Sequence, residues 1–327
     1  MDSTQKPQVL LLGNGLLQAY GGISWDQLLQ QIANRDDLPK KKDRYGEHLD
    51  LESPMPLRAI IVTKDHVDEA MKNVENQSFF YGREPSRELR EALCRLLSMG
   101  FDHILTTNYS YELEEAALPQ IICRQNNTVN KAKTDRKLRE FQRHTTEVSQ
   151  AEPKFLLHTY YAVPYHGREN KIWHIHGEAR KPNSMMLGHY YYGSLLRRCQ
   201  DLLSKRRNLY AENQKAGVEI PVKSWLDAFI LGDVYCLGFG FGLSEMDLWW
   251  LLNRKKREKA TNKGKLYFYD PAESSPSKFN EKYELLSLLE AEVRSCGITK
   301  TDPLTPSFYP SFYQAAMDDM ETCLAKK

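Results

Sequence analysis

The 327-residue sequence predicts an α/β fold in which a mainly parallel sheet carries helices on both faces, with helical insertions. Two observations point there. Four short apolar runs, at 9–12, 104–105, 172–175 and 235–237, each stop at Gly, Asn, Thr or His. Unbroken runs of this kind mark strands buried on both faces, which deliver polar residues to their C-terminal edge. Between the runs, apolar residues recur at helical spacing, and strand alternating with helix is the pattern of a parallel sheet.

The stretch 8–12, apolar from Val9 onward, breaks at Gly13-Asn14-Gly15 and reads as a buried strand entering a tight turn. Trp25, Leu28, Leu29 and Ile32 then give a helix with Ser24 as its N-cap. The charged segment from Asn34 to about Pro54 reads as a surface excursion, and Ile60-Ile61-Val62 fits either a short strand or the start of a helix. Leu89, Ala92, Leu93, Leu96 and Leu97 mark an amphipathic helix over 86–99 that ends at Gly100 and leads into the central strand. After Thr106-Thr107-Asn108-Tyr109-Ser110 a helix runs over 111–122, and the polar stretch 124–150 reads as an exposed helical insertion or a loop. Residues 155–163 and 171–176, rich in aromatic and β-branched types and separated by a Gly-containing turn, form a strand pair. A helix over 194–211 follows the aromatic patch Tyr190-Tyr191-Tyr192. The apolar run 225–230 precedes a strand at 234–237, the glycine loop 238–242, a helix built on Leu243, Leu248, Trp249, Leu251 and Leu252, and a strand at 266–269 before Asp270. The expected organisation is one domain over 1–327, with insertions at about 34–85 and 120–153.

Composition narrows the function. With 45 basic and 43 acidic residues the formal charge is +2, which gives no global field to recruit nucleic acid or an anionic membrane. The basic run at 254–257 reads as the solvated end of a helix. Six dispersed cysteines without a CxxC pair suggest neither a zinc ribbon nor a disulfide framework. No signal-peptide pattern or membrane-length apolar run is present, so a soluble, cytoplasmic protein is expected.

Each motif at a strand end supports two readings. Gly13-Asn14-Gly15 and Gly238-Phe239-Gly240 are glycine turns that could admit a phosphate to backbone N–H groups, or tight turns with no ligand. Thr106, Thr107 and Asn108 suit a ligand site or the cap of the next helix. His176, before Gly177 and Glu178, is either an accessible general base or a structural histidine, and alternation puts His174 on the same face if the strand reaches that far.

Gly13-Asn14-Gly15, Thr106 to Ser110, Ile175-His176-Gly177 and Leu237 to Gly242 with Ser244, Asp247, Leu248, Trp249 and Trp250 stand in the order seen in sirtuin-like domains. Over residues 8 to 270 the chain most resembles the bacterial sirtuin-like domains that hydrolyse NAD in antiphage defence. The resemblance implies a Rossmann-like fold and cleavage of NAD to nicotinamide and ADP-ribose. Asn108 would hold the nicotinamide ribose and orient water, and His176 would be the base. Gly13, Asn14 and Gly15 would meet the pyrophosphate, Gly238 and Gly240 the adenosine ribose, and Asp270 the adenine end, with Thr107, Ser110, Phe239 and Ser244 also at the NAD site. Two features depart from the protein-deacetylating sirtuins. The Cys-rich zinc module is missing, which argues against deacetylation, and Ser110 replaces an acidic residue, which opens a second reading as a non-catalytic NAD or ADP-ribose sensor. The expected ligand is NAD as substrate, with no metal. Expected partners are further copies of the chain and an activating partner protein or phage-derived trigger. Basal activity is expected to be low, because unregulated NAD consumption is toxic.

Overall fold

The computed structural model describes residues 6–29, 55–63, 86–118, 141–146, 154–242, 245–258, 263–274, 280–301 and 305–326, apart from positions 26, 142, 217 and 219. Most of the two expected insertions, and Ser244, lie outside these residues.

Strand β1 (Gln8–Leu12) is buried along its whole length. It pairs in parallel with β2 (His103–Thr106) on one side and β6 (Asp233–Leu237) on the other. Outside β2 lies β5 (Arg168–His174), also parallel, and outside β6 lie β7 (Leu266–Tyr269) and β8 (Ala291–Arg294). Two antiparallel strands, β4 (Thr159–Tyr165) and β3 (Arg143–Thr145), complete an eight-stranded sheet of order β3-β4-β5-β2-β1-β6-β7-β8. The parallel strands run outward from β1 to β2 and β5, then restart at β6 and run outward to β7 and β8. This is the doubly wound Rossmann-like order, whose direction reverses between β1 and β6. Ligands of such sheets sit in the crevice beyond the strands' C-terminal ends at that reversal.

The helices follow the apolar periodicity. Helix α1 (Gly15–Ala19) is a single short turn that precedes the expected one. At that next start, the Ser24 hydroxyl accepts from Gln27 N (3.1 Å) while Gln27 Oε1 accepts from Ser24 N (2.8 Å), a reciprocal cap. Residues 60–62 belong to a helix, α2 (Met55–Thr63). Helix α3 (Arg87–Ser98) starts where Ser86 Oγ accepts from Leu89 N (3.1 Å), buries the five expected apolar residues, and is left through Gly100 at φ +84°. Helix α4 (Glu112–Ala117) follows β2, and the long α5 (His189–Ala216) begins earlier than the sequence suggests. Helices α6 (Trp225–Leu231) and α7 (Met246–Arg257) flank β6. Beyond β7 come α8 (Glu281–Leu288), β8 and α9 (Phe308–Ala325).

Two expectations need correction. Residues 143–145, read as helix or loop, form the edge strand β3, because Arg143 reaches a buried carboxylate and the backbone pairs with β4. The basic run at 254–257 is not wholly solvated. Lys255 is buried, and its ammonium donates to the carbonyls of Phe229 (2.7 Å), Ile230 (3.0 Å) and Gly232 (2.7 Å) at the end of α6. A cation there meets the negative end of the helix and its unpaired carbonyls. Burial nevertheless lowers its pKa to about 7.

Candidate functional site

The two glycine turns meet at the reversal of the sheet. Gly13 N–H donates to Leu237 O and Gly15 N–H to Gly238 O, both at 2.8 Å. A Cβ on Gly13 would lie 2.4 Å from Gly238 O, and one on Gly15 would lie 2.8 Å from it. Gly238 itself sits at φ +78°. These glycines are therefore required for the close approach of the two turns, and the N–H groups of Gly13 and Gly15 are engaged there. The Asn14 amide donates to Ile23 O (2.8 Å). Phe239 is buried, whereas Gly240 is exposed with open space where a Cβ would stand. Asp270, at the end of β7, accepts from Lys282 and from the Tyr283 hydroxyl (2.9 Å) on α8.

Asn108 and His176 come together through the register of β2 and β5. Thr106 is level with His174, so Asn108 and His176 each stand two residues beyond the last pair of neighbouring strands. Asn108 is 7% exposed, its N–H donates to Thr106 Oγ1 (3.1 Å), and its side-chain amide has no partner among the described residues. Thr107 is buried, its N–H extending the pairing to Leu12 O (3.4 Å). The Ser110 hydroxyl donates to Glu112.

Because β5 ends at His174, strand alternation does not reach His176, and the two imidazoles have separate surroundings. His174 faces Asn108 O and Glu114 Oε1, each at 2.9 Å. Burial alone would lower its pKa, but the Glu114 carboxylate holds it up at about 9. At neutral pH it is an imidazolium that donates at both nitrogens and ties the Asn108 backbone to α4. His176 Nε2 lies 2.6 Å from Asp247 Oδ2, the edge of its ring meets Tyr192 (5.4 Å between centroids), and Nδ1 has no partner among the described residues. The expectation of an accessible imidazole needs correction, since His176 is only 5% exposed. Gly177, at φ +90°, makes room instead for the backbone of Ser184 and Met185, and Met186 N donates to His176 O (2.8 Å).

Carboxylates crowd this end of the sheet. Burial raises Glu245 to about 7, and Asp247 adds to the shift. Burial also raises Glu112, against the Ser110 hydrogen bond. Glu178, fully buried, is saturated by the hydroxyls of Tyr111 (2.8 Å) and Tyr161 (2.6 Å) and by Arg143 (2.6 Å), and holds the β3–β4 side of the site in place.

The structure thus gathers Asn108, Thr107, Ser110 and His176 at the ends of β2 and β5, beside the sealed Gly13–Gly238 turns. Asp270 stands at the same edge of the sheet, two strands from β1. The partner of His176, Asp247, is an acidic residue in the first turn of α7, a weak local signal that only the fold turns toward the histidine. Comparison of the chain with protein-family models and with curated proteins returned no match.

Proposed function

We propose that the protein is an NAD hydrolase that cleaves NAD to nicotinamide and ADP-ribose. The observation that carries this reading is the placing, at the C-terminal ends of β2 and β5 beside the reversal of a doubly wound sheet, of two buried groups that are not fully engaged among the described residues, the side-chain amide of Asn108 and Nδ1 of His176. The chemistry suits such a site. The nicotinamide ring of NAD is cationic, so the glycosidic electron pair leaves with it and no acid is needed. The site must orient the ribose and stabilise an oxocarbenium-like centre. Asn108 positions the ribose and the water, and the surrounding carboxylates favour positive charge at the reacting carbon. His176 Nδ1 accepts the proton of the water whose oxygen bonds to that carbon. The motif resemblance to sirtuin-like NAD hydrolases points the same way, with NAD depletion in antiphage defence as the output.

The test is nicotinamide release from NAD by the purified chain beside Asn108→Ala and His176→Ala. Each substitution is expected to cut release about 10²-fold or more while leaving the fold intact. Release that survives both would refute the assignment. A second reading, a non-catalytic NAD or ADP-ribose sensor, is favoured by one observation. Ser110 has its hydroxyl committed to Glu112, so it does not offer that proton to a nicotinamide amide. A sensor would gain thermal stability from NAD without releasing nicotinamide.

A further inference from the structure

We propose that Asp247 is a positioning residue for His176, holding the neutral imidazole as its Nε2–H tautomer so that Nδ1 stays bare to receive a proton. The inference rests on the NAD-hydrolase reading for its chemical step, but its structural part stands on the contact itself. The 2.6 Å separation of His176 Nε2 and Asp247 Oδ2 requires a proton between them, and a carboxylate is an acceptor only. Asp247 is 2% exposed, and its second oxygen, Oδ1, is buried with no hydrogen-bond partner among the described residues.

The buried carboxylates of the described residues are held in two ways. Glu178 uses both oxygens, taking Tyr111 and Tyr161 on one and Arg143 on the other. Asp227 also uses both, with Tyr210 on Oδ1 and Arg206, Ser224 and the Lys223 N–H on Oδ2. Saturation of that kind is how a fold normally makes an internal carboxylate tolerable. Asp247 has one imidazole and an unpaired Oδ1, as Glu114 has with His174 and an unpaired Oε2; both nitrogens of His174 are engaged, whereas His176 Nδ1 has no partner among the described residues, so of the two histidines only His176 is set to receive a proton. Asp247 lies in the first turn of α7, at the positive end of the helix. Tyr192 meets the imidazole edge-on and limits its rotation, and Tyr109, Cys199 and Glu245 are the other titratable groups that feel the Asp247 charge.

In the hydrolytic step, the water oxygen bonds to C1′ of the ribose as the bond from C1′ to the nicotinamide nitrogen breaks, its electron pair neutralising the ring. The water proton passes to His176 Nδ1. Asp247 remains a carboxylate and pairs with the imidazolium until that proton returns to solvent.

The experiment has two parts. Nitrogen-15 NMR of the histidine rings in the intact chain, assigned by loss of the His176 signals in His176→Gln, is expected to show the neutral ring protonated at Nε2 and bare at Nδ1. A proton on Nδ1 in the native protein overturns the proposal without recourse to any variant or any activity. Steady-state nicotinamide release by the near-isosteric Asp247→Asn is expected to show kcat lowered about 10²-fold with KM within about twofold, because an amide can donate to Nε2 and drive the proton to Nδ1. An unchanged kcat in a folded variant whose tautomer has switched overturns the role in proton transfer. If the native chain releases no nicotinamide, the hydrolase reading fails and the proton-transfer step with it. The NMR result then still decides whether Asp247 holds the tautomer.

Discussion

The imidazolium at His174 makes the stability of the fold depend on pH in a direction that can be worked out in advance. The ordinary histidine value of 6.5 applies to the unfolded chain, and Glu114 holds the folded value at about 9. The folded state therefore binds more protons in that interval. The contribution is complete below about pH 6.5 and is lost as the pH rises through 9. The shift corresponds to about 3 kcal/mol at ~1.4 kcal/mol per pH unit. Lys255 works in the opposite sense over an overlapping range, so the raw pH profile of the native protein does not isolate the histidine. The informative quantity is the stability of the native protein minus that of His174→Gln, taken from urea unfolding at half-unit intervals between pH 6 and 9.5. Groups common to both proteins cancel in the difference, which is expected to fall by about 3 kcal/mol across the interval. A flat or rising difference would show that the ring is neutral at pH 7, and that it does not tie Asn108 to α4 as an imidazolium.

Lys255→Met gives the mirror image: the folded lysine is depressed to about 7 from 10.5, so the unfolded chain binds more protons between those values. Native minus variant stability in urea should therefore rise with pH across that window. Arg143→Met removes the cation facing the fully buried Glu178 and should cost about 3 kcal/mol, read from the denaturant midpoint. An unchanged midpoint would mean that the two tyrosines suffice. Gly13→Ala puts a methyl group 2.4 Å from Gly238 O and 2.9 Å from the Phe239 ring, and should lower stability by about 2 kcal/mol, measured calorimetrically. A melting temperature equal to the native one would show that the two turns are not in contact.

How far the sequence could be read depended on how local each cause was. β1 and β6 were legible because their runs are continuous and apolar, and the Ser24 cap because a capping side chain acts within three residues of itself. Asn108 and His176 stood out as polar residues within three positions of the end of such runs. The partners of those residues were not legible. Asp247 meets His176 from 71 positions away, Glu114 meets His174 from 60, and only the packing of α7 and α4 against the strand ends brings them near. Lys255 looked solvated because its neighbours are charged, while the carbonyls that bury it belong to another helix. β8 escaped notice because Glu292, Val293 and Arg294 present no apolar run. Its place is secured by α9, whose Asp319 accepts from Arg294 and from Tyr269 on β7, both at 2.7 Å.

The seam between the β1 and β6 turns bears on how this chain can vary. Gly13 and Gly238 lie 225 positions apart, yet each occupies the space a methyl group on the other would need, with a Cβ on Gly238 falling 2.9 Å from Gly13 O. Alanine at either position opens the same gap, so much of the strain is incurred by the first change and little is added by the second. The double variant should be less destabilised than the sum of the singles, since residues in contact couple whereas distant ones add. In descent the two turns would behave as one character: a lineage that widens the seam at one glycine loses most of the reason for keeping the other.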